Sequence, residues 1–204
     1  MIDRQRVLDV QPIAFEGQHV RLEPLTQAHA AALAAVSADE AIWTYYPYSL
    51  LTLADVQGWI DVALGQQAAG TALPFAILDR ASGWALGSTR YMNIAPTDLG
   101  LEIGSTWLTP SVWRTAVNSE CKFLLLCHAF ETLGCIRVQI KTDRRNERSR
   151  RAIERLGAQF EGILRQHMIV RDGAYRDTAM YSIIDSEWPA VKEKLVTALK
   201  SYGI

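Results

Sequence analysis

Cysteine is scarce in this chain of 204 residues, which contains three. They are Cys121, Cys127 and Cys135, and no two of them have the C-x-x-C spacing of a zinc knuckle. An odd number without that spacing also argues against a disulfide framework of the kind that stabilises small secreted domains. The cysteine pattern therefore favours a reducing compartment.

The sequence also lacks an excess of charge of one sign. Its 21 Lys and Arg residues face 22 Asp and Glu residues, which gives a formal net charge of -1. This balance creates no broad positive field for nucleic acid or an anionic membrane, so neither is an expected partner. Residues 1–18 contain no apolar stretch of signal-peptide type, and no later run is long enough to span a membrane. We therefore expect a cytoplasmic protein.

No internal repeat, low-complexity tract or Gly/Ser-rich linker divides the chain. Its hydrophobic content of 49% is enough for one sizeable core, and its composition lies outside the range of disordered proteins. We therefore predict a single domain over residues 1–204, with an N-terminal extension over 1–14 and a C-terminal helix over 186–204.

Hydrophobic periodicity and turn residues predict an alternation of strands and helices. Strands are expected over His19–Leu25, Leu73–Leu78, Trp84–Ile94, Leu99–Leu108, Arg137–Thr142, Gln159–Val170 and Tyr175–Ile184, and helices over 26–38, 52–70, 117–133, 146–156 and from Ser186 onward. The segment between Leu108 and Arg137 is long enough for the crossover that parallel pairing requires. The predicted fold class is α/β, with a mixed, mostly antiparallel sheet in which one central strand pair is parallel.

Two features are candidates for holding an anion. The loop over 109–118 precedes the long helix, and a helix N-terminus offers free N–H groups and a partial positive charge. Small residues at Thr115 and Ala116 let the backbone approach a phosphate, and Arg114 adds a forked donor. An arginine-rich run over 144–155 opens the next helix, at the end of the strand expected beside the first. The alternatives are an ordinary strand–helix connection, a solvated helix face, or an RNA-associated protein that uses the arginine run.

Several separated motifs follow one another along the chain. They are Phe15-Glu16-Gly17, Val20-Arg21-Leu22-Glu23-Pro24-Leu25, Glu102-Ile103-Gly104-Ser105-Thr106-Trp107-Leu108, the loop over 109–118, Asn146-x-x-Ser149, Leu156-Gly157-Ala158, Asp172-Gly173, Arg176-Asp177-Thr178 and Tyr181-Ser182-Ile183. In this order they resemble the GNAT superfamily of acyl-CoA N-acyltransferases, and within it the RimJ/RimL-like branch of ribosomal-protein N-terminal acetyltransferases. The resemblance covers about Phe15 to Trp188.

The resemblance implies a GNAT fold, in which two parallel strands splay apart and acetyl-CoA binds between them as co-substrate, without a metal. It implies an N-acetyltransferase that moves the acetyl group to a primary amine, on a protein N-terminus or a small molecule, by direct attack in a ternary complex. It also suggests a homodimer. The cofactor-binding residues that it implies are Thr106, Trp107, Leu108, Arg114, Thr115, Ala116, Val117, Asn118, Ser119, Asn146 and Arg151.

The phosphate loop departs from the family pattern Q/R-x-x-G-x-G/A, since Trp113, Ala116 and Asn118 occupy its three defining positions. Alanine has fewer accessible backbone conformations than glycine, so a positive φ at Ala116 would be costly. We expect Arg114 and Asn118 to compensate. The departure leaves an alternative function open, a catalytically degenerate GNAT domain that binds CoA or an acceptor without turnover.

Two residues resemble catalytic groups of the family. Glu102 resembles the glutamate that acts as general base, through a water, on the attacking amine; its alternative is a strand glutamate paired with a nearby arginine. Ser149 resembles the serine with which RimL-like enzymes protonate the leaving sulfur, and its alternative is capping of a helix first turn. Ile153 stands where many GNAT enzymes carry a tyrosine, so Ser149 is the one acid that the pattern supplies.

The resemblance places the acceptor site near His167 and near Tyr45 and Tyr46, which follow the first helix. The alternatives are a strand histidine bonded to a neighbouring carbonyl, and aromatic side chains that close the core. The sequence leaves the acceptor open among a ribosomal-protein N-terminus, another peptide, a polyamine, an amino acid and a drug-like amine. An open acidic groove would indicate a peptide, and a closed aromatic pocket a small amine.

Overall fold

The computed structural model of the chain describes residues 6–202. In that range the strands are β1 (Phe15–Glu16), β2 (Val20–Pro24), β3 (Ala72–Asp79), β4 (Ala85–Ala95), β5 (Gly100–Leu108), β6 (Arg137–Asp143), β7 (Gln159–Ile169) and β8 (Tyr175–Ile184). The helices are α1 (Ala30–Ser37), α2 (Leu53–Ala68), α3 (Val117–Cys127), α4 (Glu147–Arg155) and α5 (Trp188–Lys200). The predicted extension over 1–14 and C-terminal helix over 186–204 fall partly outside the described residues, at 1–5 and at 203–204.

The strands form one sheet in the order β1-β2-β3-β4-β5-β6-β8-β7. Strands β1 to β5 are an antiparallel meander, and β6, β8 and β7 are also antiparallel to one another. Strands β5 and β6 join the two halves as a parallel pair, and the crossover between them carries α3. The predicted mixed, mostly antiparallel sheet with a parallel central pair is confirmed.

The parallel pair stays together only at its beginning. Residues 100–102 of β5 pair with 137–139 of β6, and no later residue of β5 pairs with β6 in the described chain. The outer edges of both strands remain bonded, since β5 pairs with β4 as far as Leu108 and β6 pairs with β8 as far as Asp143. The facing edges beyond Glu102 therefore carry backbone groups without a strand partner.

Helices cover both faces of the sheet, each over its own apolar cluster. On one face Leu125 of α3 and Leu195 of α5 belong to the larger cluster. On the other face Leu33 of α1 and Ile60 of α2 pack in the smaller cluster with Trp107 of β5. None of the helices between residues 6 and 202 combines the length and hydrophobicity that a bilayer crossing needs.

The helix predicted over 117–133 consists of α3 and a π-helical turn, His128–Thr132. Next to this turn the Tyr91 hydroxyl donates to the Leu125 carbonyl at 2.6 Å. A side chain that bonds a helix carbonyl competes with the regular backbone ladder, which accounts for the change of helix type here. Gly134 then ends the helix with a φ of 66°.

Helix α3 buries two charged side chains in different surroundings. The Glu120 carboxylate is 3% exposed and accepts hydrogen bonds from the backbone N–H groups of residues 18–20, so it ties the helix to the start of β2. Lys122 is 5% exposed, and its ammonium donates to the Thr106 hydroxyl at 2.6 Å. Loss of hydration on burial lowers the pKa of Lys122 from 10.5 to about 8.

Replacement of the buried carboxylate should destabilise the fold. In Glu120→Ala the three N–H groups lose a charged acceptor, and we expect the free energy of unfolding to fall by about 3 kcal/mol. Urea unfolding followed by circular dichroism measures this. Glu193→Ala, at an exposed position of α5, is the matched control and should change stability by less than about 0.5 kcal/mol. Equal effects of the two variants would contradict the role given to Glu120.

Replacement of the buried ammonium should stabilise the fold at neutral pH. Between about pH 8 and 10.5 the unfolded chain binds more protons at Lys122 than the folded chain, so this group makes stability rise with pH in that window. We therefore expect Lys122→Met to be more stable than the natural chain at pH 7, by at most about 3 kcal/mol, with a difference that shrinks toward pH 10.5. Urea unfolding of both proteins from pH 7 to pH 10 tests this, and a difference independent of pH would refute it.

Candidate functional site

Two cavities meet where β5 and β6 separate. The first, which we name the tyrosine cavity, has a volume of about 250 Å³ and includes Tyr45, Tyr46 and Tyr48 in its wall. The second, the arginine cavity, has a volume of about 560 Å³ and includes Arg114, Arg148, Arg151 and Arg155. The residues that line both are Tyr46, Thr106, Asn118, Asn146, Ser149 and Ala152. Because they share this wall, the cavities adjoin across the opening between the strands.

A β-bulge shapes the β5 side of the opening. The register between β4 and β5 shifts there, and Ser105 has a φ of 49°, in the left-handed region. Two tyrosines bind this distorted segment: the Tyr46 hydroxyl donates to the Thr106 carbonyl, and the Tyr48 hydroxyl lies 2.8 Å from Ser105 Oγ. The loop that carries the tyrosines is thereby fixed to the edge of the opening.

Glu102 lies on the floor of the tyrosine cavity and is 2% exposed. Its Oε2 accepts from Asn93 at 2.9 Å and lies 3.1 Å from the Lys141 ammonium, whereas its Oε1 has no hydrogen-bond partner. Gly104 provides the space for this oxygen, since a Cβ there would lie 2.8 Å from Oε1. The carboxylate is thus held by one oxygen while the other is buried without a partner, and its ion-pair partner is a lysine rather than the arginine weighed above.

Asn146 and Ser149 stand at the junction of the two cavities. The buried Asn146 caps α4, because its Oδ1 accepts from the Ser149 backbone N–H at 3.0 Å. The helix cap therefore uses the serine backbone, and the Ser149 hydroxyl has no partner among the described residues. Ile153 is buried and lines the tyrosine cavity one turn further on.

The arginine cavity is formed by the starts of α3 and α4. Trp113 donates its indole N–H to the Leu108 carbonyl at 2.9 Å, and the guanidinium of Arg148 lies 3.7 Å above its ring. The N-cap residue of α3, Ala116, has no side chain that can cap the helix, and the Thr115 hydroxyl accepts from the Val117 N–H at 3.4 Å. The costly positive φ does not arise at Ala116, whose φ is −64°. The positive φ of this loop, 65°, belongs to Arg114.

The structure brings most of the predicted site residues together. Those that line at least one cavity are Tyr45, Tyr46, Glu102, Thr106, Trp107, Leu108, Arg114, Thr115, Asn118, Ser119, Asn146, Ser149 and Arg151. Ala116 and Val117 are buried beneath the loop and line neither cavity. His167 is exposed and also lines neither; its Nδ1 lies 3.1 Å from the Thr178 hydroxyl, and its neighbour Met168 lines the tyrosine cavity instead.

Three cations of the tyrosine cavity are absent from the sequence-based prediction: Lys122, Lys141 and Arg176. Lys122 carries the one usable signal, since it is a basic residue directly before the apolar run that begins at Phe123. Arg176 belongs to a quoted motif, but nothing in that motif indicates that its side chain is buried.

The cysteines are unsuited to nucleophilic catalysis. Burial raises the pKa of Cys121 and of Cys135 to about 12, and that of Cys127 to about 11, so the reactive thiolate is suppressed. Within residues 6–202 no group of three or more His, Cys, Asp or Glu side chains is arranged to hold a metal ion.

Comparison with known proteins agrees with this architecture. The pattern of the acetyltransferase (GNAT) domain matches residues 19–159. The crystal structure of a GCN5-related N-acetyltransferase from Brucella melitensis is 38% identical, with a TM-score of 0.87 over 94% of this chain and 87% of that one. The uncharacterized N-acetyltransferase YoaA of Bacillus subtilis (strain 168) is 28% identical over 175 residues, 83% of this chain and 96% of YoaA.

A more distant structure shares the fold. Mycobacterium smegmatis RimJ, solved in complex with CoA-disulfide, is 22% identical, with a TM-score of 0.77 over 88% of each chain. The match to the GNAT domain covers more than half of this chain, and the Brucella relative is similar over 94% of it. The chain belongs to the GNAT acetyltransferase family.

Proposed function

We propose that the protein transfers the acetyl group of acetyl-CoA to a primary amine by direct attack in a ternary complex. The observation that carries this proposal is the separation of β5 from β6 after residues 100–102, with two cavities that share one wall at the opening. Such an arrangement gives room for two molecules that meet at the opening. The family to which the chain belongs supports the same reaction class.

The residues present fit acetyl-CoA. The unpaired backbone edges of β5 and β6 suit the amide groups of a pantetheine arm, and the arginine cavity offers forked cations together with the N-terminus of α3 to phosphates. Thr106, Trp107, Leu108, Arg114, Thr115, Asn118, Ser119, Asn146 and Arg151 would hold it, with Ala116 and Val117 as buried support. When bound, acetyl-CoA supplies a thioester, whose carbonyl carbon is open to an amine.

The chain's own residues would handle the protons. An amine reacts only as the free base, and ordinary amines have a pKa of about 7.7 to 10.4. The Glu102 oxygen that has no partner would accept a proton from the amine or from a bridging water, while Lys141 and Asn93 hold the other oxygen. The Ser149 hydroxyl, at the junction of the cavities, would donate a proton to the departing sulfur.

A catalytically degenerate domain is the alternative function. It is favoured by Ile153, which puts an aliphatic side chain where many relatives are implied to carry a tyrosine. Such a protein would bind CoA in the arginine cavity and release no free thiol with any amine.

We also propose a cytoplasmic homodimer. The compartment is supported by the three free thiols, since disulfides are typical of oxidising compartments, and the assembly by the family resemblance alone. Light scattering coupled to size-exclusion chromatography measures the assembly, and a monomeric mass at micromolar concentration would contradict it.

Loss of the free carboxylate oxygen should remove catalysis and keep cofactor binding. In Glu102→Gln the amide can still bond Asn93 but accepts no proton, so we expect kcat/KM for the amine to fall by about 10² to 10⁴-fold. Release of free thiol from acetyl-CoA in the presence of an amine panel measures this.

The control for Glu102→Gln is the affinity for CoA, measured by calorimetry, which should stay within about twofold of the natural chain. Glu193→Gln, an exposed carboxylate far from both cavities, should leave turnover unchanged. Turnover by Glu102→Gln at the natural rate would show that this residue is not the base. Tight CoA binding without turnover by the natural chain would favour the degenerate domain.

Removal of one arginine should weaken CoA binding through its phosphates. Arg148 is held over Trp113, so Arg148→Ala should raise the Kd for CoA by about 10-fold at low salt, with a smaller effect at high salt because exposed charges are screened. Calorimetry at two salt concentrations measures this, with Arg165→Ala, an exposed arginine of β7, as the matched control.

The stacking itself can be tested with a double-mutant cycle. If the ring positions the guanidinium, Trp113→Ala weakens binding in the natural background and adds little in Arg148→Ala. Additive effects would mean that the ring and the guanidinium act separately.

A further inference from the structure

Arg176 is a cation of the tyrosine cavity with no anion beside it. Arg176 of β8 lines the cavity and is 8% exposed. Its Nε is buried without a partner, and among the described residues no carboxylate lies within 4.0 Å of its guanidinium. Arginine keeps its charge inside proteins, so burial without a counter-ion is unfavourable. Burial also lowers the pKa of Arg176, the direction expected for a cation that has lost water without gaining a direct partner.

The carboxylates of the cavity are engaged elsewhere. Glu102 pairs with Lys141 at 3.1 Å. Asp143 is bound through both oxygens by Arg145, with the Arg145 Nη2 at 2.8 Å and Nε at 3.0 Å. Both acids act on Arg176 only from a distance. A ligand is therefore left as the direct partner of this guanidinium.

The charge and shape of the cavity restrict that ligand. Lys122 adds a third cation to Lys141 and Arg176, against two carboxylates, so the lining disfavours a polyamine and favours a ligand with a negative group. The volume is about 250 Å³, and the tyrosines close one side. Arg171 joins the β7–β8 turn to the start of the loop that carries these tyrosines, because its Nη2 donates to the Trp43 carbonyl at 3.0 Å. The cavity has tyrosines on one side and more cations than carboxylates, so it is not an open acidic groove.

We propose that the acceptor is a small amine that also carries a carboxylate, an amino acid or a close analogue, and that Arg176 binds this carboxylate. The proposal rests on the proposed function, since the amine must reach Glu102 in the same cavity. A guanidinium forms two parallel hydrogen bonds to a carboxylate, which suits recognition of that group. The phosphates of CoA do not account for Arg176, because it lines the tyrosine cavity and not the arginine cavity.

The experiment compares amines that differ in the carboxylate alone. Thiol release from acetyl-CoA is measured with the twenty amino acids, their amides, β-alanine, γ-aminobutyrate, spermidine and short peptides. We expect at least one carboxylate-bearing amine to have a kcat/KM roughly 10- to 100-fold above that of its amide. In Arg176→Gln this preference should fall to about one, through a higher KM for the amino acid, while the KM for acetyl-CoA is unchanged.

Two further variants separate recognition from folding. Arg176→Lys keeps the charge but loses the fork, so it should fold and retain part of the preference. Arg165→Gln on β7 is the matched control and should keep the full preference. Thermal unfolding of each variant shows whether the fold is intact; if Arg176→Gln does not fold, the comparison rests on Arg176→Lys.

The outcomes distinguish the two proposals. Turnover of peptides, amides or spermidine without a preference for carboxylates would overturn the acceptor proposal and leave the transferase standing. Absence of turnover with every amine would end the transferase proposal. In that case, calorimetric titration of the same amino acids into the CoA-bound protein tests the role of Arg176. Binding by the natural chain that is lost in Arg176→Gln supports recognition of the carboxylate by Arg176. Absence of binding by the natural chain overturns it.

Discussion

The separation of two parallel strands that remain bonded on their outer sides is the constraint on which this molecule depends. Beyond Glu102, strand β5 stays hydrogen-bonded to β4 and strand β6 to β8, while the facing edges of β5 and β6 are no longer paired. Backbone N–H and C=O groups need partners, so an opening of this kind is stable only when water or a ligand supplies them. Both cavities, the cap at Asn146 and the bulge at Ser105 are arranged along these edges. The candidate site thus lies where the pairing of the sheet is incomplete.

The bulge at Ser105 links the two sides of the site. A bulge turns the strand and leaves one residue outside the regular ladder, and here the hydroxyl groups of Tyr46 and Tyr48 bind the distorted segment. The wall of the tyrosine cavity is therefore anchored to β5, whose Thr106 lines both cavities. A displacement of this wall would break the bonds to the segment that the two cavities share.

Much of the fold could be predicted from the sequence, because it depends on local patterns. Apolar alternation marks the strands, and the length between Leu108 and Arg137 allows the parallel crossover. The π-helical turn could not be predicted, since the Tyr91 hydroxyl that bonds the Leu125 carbonyl of α3 comes from β4, a distant part of the sequence. The same limit applies to the site. Motif order brings out Glu102, but the burial of Arg176 arises only when β8, the tyrosine loop and β6 enclose it.

The loop over 109–118 shows why a motif is an incomplete guide to a site. Glycine in such a pattern stands for a backbone that is free to take a positive φ, and here the position held by Ala116 does not need one, because Arg114 takes it instead. A non-glycine residue in that region costs about 1 kcal/mol or more, so neighbouring contacts must hold it. Trp113, at the first motif position, contributes no charge of its own but stacks Arg148 over the cavity. A chain whose overall charge is close to zero can therefore have a strongly basic cavity. The local electrostatic field depends on where the arginines are held and not on the net charge of the whole chain.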